Sequence, residues 1–124
     1  MNDLAIRVQT WLLKEILRWR EYLPYLVEAI RKVLGNNVEI YVFGSAVENR
    51  LTVNSDIDIA VIMEKVPERA RDRAKILDEI WRELETRGVP WWYPFEIHLM
   101  TRQEMKRLKK GGAKFVRVED LMPS

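Results

Sequence analysis

The stretch VFGSAVENRLTVNSDIDIAV, residues 42–61, sets a Gly-Ser pair and ten further residues ahead of an Asp-Ile-Asp triplet in an apolar run. Because side chains alternate across a β-strand, Asp56 and Asp58 face one way and the neighbouring isoleucines face the other, toward a core. The two carboxylates would stand roughly 7 Å apart and repel each other. Hard divalent cations such as Mg²⁺ take oxygen ligands in this arrangement. The stretch therefore predicts a metal site or, in the plainer alternative, two surface acids on a solvent-facing strand.

A third acid follows on a later predicted strand, FEIHLM, residues 95–100. Alternation places Glu96 on one face of this strand together with His98 and Met100. A carboxylate on a neighbouring strand would complete a cluster for two metal ions. The alternative is that Glu96 and His98 face water at a sheet edge. His98 is the only histidine, and packing or solvent exposure is the expected role of a lone strand histidine, ahead of action as a base.

The Gly-Ser pair follows a predicted strand, where a tight turn needs a residue without a Cβ, and Gly44 meets that need. Ser45 would then open a short helix over 45–50, and the backbone N–H groups at a helix start favour anions. A phosphate group could bind there, held by these amides and the Ser45 hydroxyl. Ser45 and Glu48 also have the spacing of a capping box, so simple helix capping is the alternative. The two roles are compatible.

Hydrophobic periodicity in the rest of the chain predicts helices and strands in alternation. Pro24 interrupts the N-terminal helical region, where we expect a kink or a restart. The predicted order is N-terminal helices over 3–34, a strand over 38–43, the short helix, a strand over 56–63, a helix from Pro67 to Gly88, a strand over 95–100, a helix from Thr101 to Gly111, and a tail over 113–124 that adds a short strand or is mobile. This pattern favours a small α/β (α+β) domain, in which helices pack on a mixed sheet of three to four strands.

Composition limits the function classes. The 124 residues are 48% hydrophobic, which suits one domain with one core. The absence of cysteine excludes disulfides, a thiolate nucleophile and Cys-ligated zinc. The sequence also shows no signal-peptide pattern and no apolar run of membrane length, and these features together favour a cytoplasmic protein. With a net charge of only +2, the basic run over 102–114 is expected to be a solvated helix face rather than a nucleic-acid site. The aromatic run over 91–95 is expected to be buried against neighbouring helices, with base stacking or partner contact as the alternative. The aromatic residues of the N-terminal helices are expected in the core or at an oligomer interface.

Taken together, the Gly-Ser pair, the spacer, the Asp-x-Asp triplet and the later acid resemble the nucleotidyltransferase superfamily that includes DNA polymerase β. The resemblance covers residues 38–100, and the ten-residue spacer is similar to that of the minimal nucleotidyltransferases, small prokaryotic proteins often paired with a HEPN-domain protein. It implies a single nucleotidyltransferase domain over 1–124, with N-terminal helices over 3–34, a catalytic core over 38–110 and a short C-terminal tail over 113–124.

The resemblance implies a metal-dependent transfer of AMP from ATP to a hydroxyl of a partner protein, as the antitoxin of a HEPN/MNT toxin–antitoxin pair. Asp56, Asp58 and Glu96 would bind two Mg²⁺ ions, and Gly44 and Ser45 would hold the triphosphate. Many relatives carry an arginine three positions after the Gly-Ser pair, where this chain has Glu48. The first arginine that follows the pair in this chain is Arg50, two residues later. Two alternatives therefore stay open: a degenerate domain that binds a partner without catalysis, and a nucleotidyltransferase acting on a small molecule, for which dimerisation would have to supply the acceptor site.

Overall fold

The computed structural model describes residues 3–123 as four helices around one four-stranded sheet. The helices are α1 (Asp3–Leu17), α2 (Trp19–Leu34), α3 (Ala70–Thr86) and α4 (Arg102–Lys110). The strands are β1 (Glu39–Phe43), β2 (Ile57–Ile62), β3 (Phe95–Met100) and β4 (Phe115–Arg117). Single 3₁₀ turns follow β1 at Gly44–Ala46 and β4 at Val118–Asp120.

The sheet is mixed, with the strand order β3-β2-β1-β4. Strand β1 runs antiparallel to both of its neighbours, β2 and β4, whereas β2 and β3 are parallel and are joined through α3. Of the two outcomes predicted for the tail, a short strand is the one found, because residues 115–117 form β4. The predicted α+β fold class is confirmed.

One face of the sheet carries the main core. The β2 residues Ile57, Ile59 and Val61 are fully buried there, as the alternation predicts. Helices α2 and α3 cover them through apolar side chains such as Leu26 and Ile80. Each fully buried aliphatic side chain of this kind contributes roughly 1.5–3 kcal/mol. Most of the folding free energy of this domain therefore lies on the α2–α3 side of the sheet.

The opposite face is covered only in part, by α4. Met105 of α4 packs on Tyr41, Ala60 and Met100, and together with Ile62 these residues form a second, smaller cluster. The contacts lie toward the ends of β2 and β3 where these strands finish. The beginnings of the same two strands extend past α4.

Three predicted boundaries are wrong. The N-terminal helices break at Arg18 instead of at Pro24, which lies inside α2. Tertiary packing explains this, since the flanking Leu23 and Leu26 are fully buried and hold the helix together across the missing N–H group. The helix predicted from Pro67 begins only at Ala70. The guanidinium of Arg73 donates hydrogen bonds to the carbonyls of Pro67 and Glu68, 2.8 and 2.7 Å away, and holds that segment outside the helix. The third boundary, at the Gly-Ser pair, is described below.

Within residues 3–123, every helix is too short or too polar to serve as a transmembrane span.

Candidate functional site

Three side chains converge where β2 and β3 begin, on the face that α4 leaves open. The parallel register pairs Asp58 with Glu96 and Ala60 with His98. One potential ligand atom from each of Asp58, Glu96 and His98 lies within 4.8 Å of the others. The Nε2 atom of His98 is 3.1 Å from an Asp58 carboxylate oxygen and 3.8 Å from a Glu96 carboxylate oxygen. Of the three predicted acids, the structure brings Asp58 and Glu96 together on neighbouring strands, and His98 joins them.

His98 belongs to this cluster and also packs. Its ring is half-buried against Phe43, with 5.2 Å between the ring centroids. That contact fixes the imidazole while its Nε2 atom points at the two carboxylates. A proton on Nε2 would be donated to Asp58, which would restrain the carboxylate and offset its repulsion with Glu96. The sequence places His98 on the Glu96 face but does not show that a carboxylate of the neighbouring strand lies within hydrogen-bonding distance.

Gly44 is required here for two reasons. Its φ of +75° lies in the left-handed region that favours glycine, and it makes the predicted tight turn after β1. A Cβ at this position would also lie 2.5 Å from a carboxylate oxygen of Asp58. The glycine therefore makes the space that the Asp58 side chain occupies, which ties the Gly-Ser motif physically to the Asp-x-Asp motif.

The short helix predicted over 45–50 is wrong. A single 3₁₀ turn at Gly44–Ala46 replaces it, and this turn has no side-chain cap. The Ser45 carbonyl accepts hydrogen bonds from the N–H groups of both Glu48 and Arg50, at 3.3 and 3.0 Å, and this closes the turn instead of propagating a helix. The capping role considered for Ser45 is therefore not realised. The residue remains half-buried, directly after the glycine that abuts Asp58.

Asp56 lies at the rim of the site. It is exposed and precedes β2 by one residue, whereas the sequence pattern placed it inside the strand. Among the described residues, the tightly converging group is Asp58, Glu96 and His98, and Asp56 lies outside it. Its carboxyl group is still close enough to Glu96 to interact with that side chain.

The negative charge of the site acts on Glu96. Partial burial raises the pKa of the Glu96 carboxyl above its ordinary value, and the charges of Asp58 and Asp56 and a hydrogen bond with Asp56 raise it further, while His98 opposes the change. Carboxylates this close disfavour each other's charged form unless a cation lies between them. The arrangement thus has the charge and the oxygen donors that a divalent cation would neutralise.

The arginine nearest to the Gly-Ser pair is engaged elsewhere. Arg50 forms an ion pair with Glu48 at 3.0 Å, and its side chain is 66% exposed. Exposed pairs of this kind contribute about 0–1 kcal/mol, so the contact exchanges readily with solvent or a ligand.

The sequence profile of the nucleotidyltransferase domain matches residues 23–120, most of the chain. The chain belongs to this nucleotidyltransferase domain family. The match includes the Gly-Ser turn, both strands of the acidic cluster and β4, so the resemblance drawn from the sequence motifs is confirmed. The family identifies the protein as a minimal nucleotidyltransferase domain and its reaction class as that of a transferase.

A solved structure shows the same fold. A crystal structure of a protein from Sulfolobus solfataricus, provisionally described as a nucleotidyltransferase, is 22% identical and superposes with a TM-score of 0.53 over 94% of this chain and 87% of that chain. A second structure with the same provisional description is 27% identical and has a TM-score of 0.46 over 73% of this chain and 89% of that chain. No curated protein matches this nucleotidyltransferase domain.

Proposed function

We propose that this nucleotidyltransferase domain transfers a nucleoside monophosphate, AMP from ATP, to a hydroxyl group of a partner protein. The observation that supports it best is the convergence of Asp58, Glu96 and His98 directly above Gly44. The Gly44–Ser45 turn, which we propose binds phosphate, and the acids that we propose bind metal are separate in sequence. The fold brings Gly44 into contact with Asp58. Within residues 3–123, the exposed Asp78 carboxylate of α3 belongs to no such group.

The residues fit divalent metal ions. Asp58 and Glu96 offer carboxylate oxygens, the donor type that Mg²⁺ prefers, and Asp56 adds a third carboxylate at the rim. Gly44 leaves room for the Asp58 carboxylate, since a Cβ at this position would lie 2.5 Å from one of its oxygens. We assign Asp56, Asp58 and Glu96 as the ligands of two Mg²⁺ ions. When bound, the ions supply neutralisation of phosphate charge in the transition state.

The protein groups position the reactants. The Gly44–Ser45 turn receives the triphosphate, and His98 holds the Asp58 carboxylate in place through Nε2. The acceptor hydroxyl oxygen forms a bond to the α-phosphorus, and the bond from that phosphorus to the bridging oxygen of pyrophosphate breaks. The hydroxyl proton passes to Glu96, the more exposed of the two clustered carboxylates. Pyrophosphate leaves, and AMP stays on the acceptor.

An open site favours a protein acceptor. The Asp58 and Glu96 side chains are 25% and 53% exposed, and α4 covers only the far part of their sheet face. A domain of this size does not enclose a nucleotide and a bulky small molecule together, whereas a protein brings its own hydroxyl and closes the site on binding. By the family resemblance, the acceptor is a tyrosine of a HEPN-domain protein, and this chain is the antitoxin of the pair.

The test is to incubate the protein with ATP, Mg²⁺ and the HEPN protein of a neighbouring reading frame, followed by intact mass measurement of both chains. We expect a gain of one AMP unit on the partner, lost in Asp58→Asn and kept in the matched control Asp78→Asn on the exposed face of α3. The alternative function is a degenerate domain that binds a partner without catalysis. Glu48 stands where many relatives carry an arginine, and the nearest arginine, Arg50, is paired with Glu48. Tight binding of the partner with no mass gain would support this alternative and overturn the proposal.

A further inference from the structure

His98 places a nitrogen donor among the carboxylate oxygens of the candidate site. Its Nε2 atom lies 3.1 Å from an oxygen of Asp58 and 3.8 Å from an oxygen of Glu96. One ligand atom from each of the three side chains lies within 4.8 Å of the other two. The donor set of this group is therefore two carboxylates and one imidazole, and it differs chemically from a set of carboxylates alone.

The register of the two parallel strands explains why the imidazole reaches Asp58. His98 lies directly opposite Ala60, and Asp58 lies opposite Glu96. Because Ala60 carries only a methyl group, it leaves room for the larger imidazole to extend toward Asp58, two residues earlier on β2. The imidazole also contacts Phe43, with 5.2 Å between the ring centroids. The fold thus positions Nε2 beside both carboxylates.

The distances within the group match those between ligands of a single metal ion. Ligand atoms about 2.1 Å from one ion are about 3.0 Å apart in an octahedral site and about 3.4 Å apart in a tetrahedral one. The distance of 3.1 Å between Nε2 and Asp58 lies in this range. The distance of 3.8 Å between Nε2 and Glu96 is slightly longer, and the Glu96 side chain, 53% exposed, is free to rotate and shorten it.

Nε2 can use this position in two ways. With the ring proton on Nε2, it donates a hydrogen bond to Asp58. With the ring proton on Nδ1, the lone pair of Nε2 faces the same two carboxylates, and a cation among the three groups interacts favourably with all of them. A bound divalent ion would therefore take the place of the Nε2 proton.

We propose that His98 is a metal ligand of the candidate site through Nε2, and that the site therefore prefers Mn²⁺ and other first-row transition-metal dications to Mg²⁺. The proposal rests on the proposed function only in taking Asp58 and Glu96 as metal ligands. Mg²⁺ binds oxygen ligands and retains much of its water, whereas imidazole nitrogen suits the transition metals. Mn²⁺ accepts carboxylates and histidine in one site.

Electron spin-echo envelope modulation of the Mn²⁺-bound wild type is the deciding measurement. We expect the ¹⁴N modulation of a directly bound imidazole, and its replacement by a ¹⁵N pattern when the protein is made with ring-¹⁵N histidine. Because His98 is the only histidine of the chain, untagged protein assigns the signal to this residue without any substitution. Bound Mn²⁺ whose spectrum shows no nitrogen coupling, or a coupling that the labelled histidine leaves unchanged, would overturn the proposal.

His98→Gln separates metal ligation from simple positioning of Asp58. The glutamine amide can donate the same hydrogen bond to Asp58, but its nitrogen has no lone pair available for a metal ion. In Mn²⁺ titrations followed by electron paramagnetic resonance, with Mg²⁺ as competitor, the wild type should bind Mn²⁺ on the order of 10-fold more tightly than Mg²⁺. His98→Gln should raise the Mn²⁺ dissociation constant on the order of 10–100-fold and change that of Mg²⁺ by less than about threefold.

The matched control is Asp78→Asn on the exposed face of α3, which should leave both affinities unchanged, and far-UV circular dichroism shows whether each variant retains the fold. Equal loss of Mn²⁺ and Mg²⁺ affinity in His98→Gln would assign His98 to holding Asp58 alone and would overturn the proposal. A wild type that binds neither ion would overturn it together with the metal ligands of the proposed function. Mn²⁺ binding without nitrogen coupling would overturn only the role of His98 and leave those ligands in place.

Discussion

On the sheet face that α4 partly covers, β2 and β3 are packed beneath α4 at one end and carry the acidic cluster at the other. These are called the covered end and the open end below. Toward the ends of β2 and β3, Ala60 and Met100 are buried beneath Met105 of α4. Earlier on the same strands, Asp58, two residues before Ala60, and Glu96, four residues before Met100, are 25% and 53% exposed and share a cluster with His98. The residues at the two ends face the same way, so the strand alternation does not distinguish them. The two sets of residues differ in whether α4 covers them, so the length of strand that α4 covers decides which residues pack and which form the candidate site.

An aromatic pair marks the boundary between these two ends. Phe43 and Phe115 stack with their ring centroids 4.6 Å apart, and Phe43 also contacts His98 of the acidic cluster. Both rings are half-buried and pack against the cluster that α4 covers. The pair therefore forms an apolar wall between the acidic cluster and the part of the sheet that α4 covers.

The largest expected effect is at the open end. Asp58→Asn should lower the rate of nucleotidyl transfer on the order of 10²–10³-fold, the loss typical when one group that stabilises developing charge is removed. Stability should change by less than about 1 kcal/mol, because the weakened contact with His98 is offset by relief of repulsion with Glu96. Transfer rate and urea denaturation of the same variant measure the two effects. A variant that unfolds would show that the acid is structural and would break the comparison.

At the covered end the effects should be reversed. Met100 is 4% exposed, so Met100→Ala should destabilise the protein by about 2–3 kcal/mol through lost burial and a residual cavity. Glu96→Ala, four residues earlier on the same strand, should stay within about 0.5 kcal/mol because that side chain is exposed. Urea denaturation of both variants provides the comparison, and ATP binding in the presence of Mg²⁺ should be lost only in Glu96→Ala. Equal destabilisation would mean that the acidic end is also part of the packed core.

The open end could be predicted from sequence only in part. Alternation within each strand was enough to place Asp58 and Glu96 on one face, since it depends on local chain geometry alone. The Gly44 turn was predictable because glycine, which lacks a Cβ, is the default residue where a tight turn needs a positive φ. The parallel register that sets Asp58 beside Glu96 is a property of two strands separated by α3, and no local pattern contains it. For the same reason, the contact of His98 with Asp58 was missed.

The predicted boundaries of helices are wrong where tertiary contacts override the local preference of the sequence. Ser45 and Glu48 have capping-box spacing, yet the chain closes into a 3₁₀ turn beside Asp58. Pro24 is a helix breaker in isolation, yet it lies inside a helix whose neighbouring residues are fully buried. Residues 3–11 are the opposite case, because their periodicity predicts a helix and the structure shows one, although all nine residues are exposed.

A smaller effect is expected at Gly44, where the motifs meet. Gly44→Ala should cost about 1–3 kcal/mol, because it combines the strain of a positive φ with a Cβ that pushes Asp58 away from His98. Gly88→Ala is the matched control, since Gly88 has a φ of +90° and no atom within 4 Å of its added Cβ. Both should lose stability by urea denaturation, and only Gly44→Ala should also weaken Mg²⁺-dependent ATP binding. If the two variants retain equal ATP affinity, the glycine serves the turn alone.

The smallest effect is the pH dependence contributed by Glu96. Partial burial and the charges of Asp58 and Asp56 hold its pKa in the folded state above its ordinary value of 4.5. A carboxyl whose pKa is raised on folding contributes most at low pH, and that contribution is lost as pH rises through the raised value. Glu96→Gln should therefore match the wild type below pH 4 and be more stable at pH 7. The gain should be well under 1 kcal/mol because the side chain is 53% exposed and screened by solvent.

At neutral pH, divalent cations should reverse the order of stability of the wild type and Glu96→Gln. If Glu96 is a ligand, Mg²⁺ stabilises the wild type more than Glu96→Gln, since the variant keeps the shape of the side chain but lacks its charge. Urea denaturation at pH 4 and pH 7, with and without Mg²⁺, measures both effects in one series, with Glu85→Gln on the exposed side of α3 as the control. A wild-type stability that Mg²⁺ leaves unchanged at pH 7 would argue against metal binding at the open end. A gain shared equally by Glu96→Gln would place the metal on Asp56 and Asp58 without Glu96, and would leave the Glu96 side chain to the acceptor hydroxyl alone.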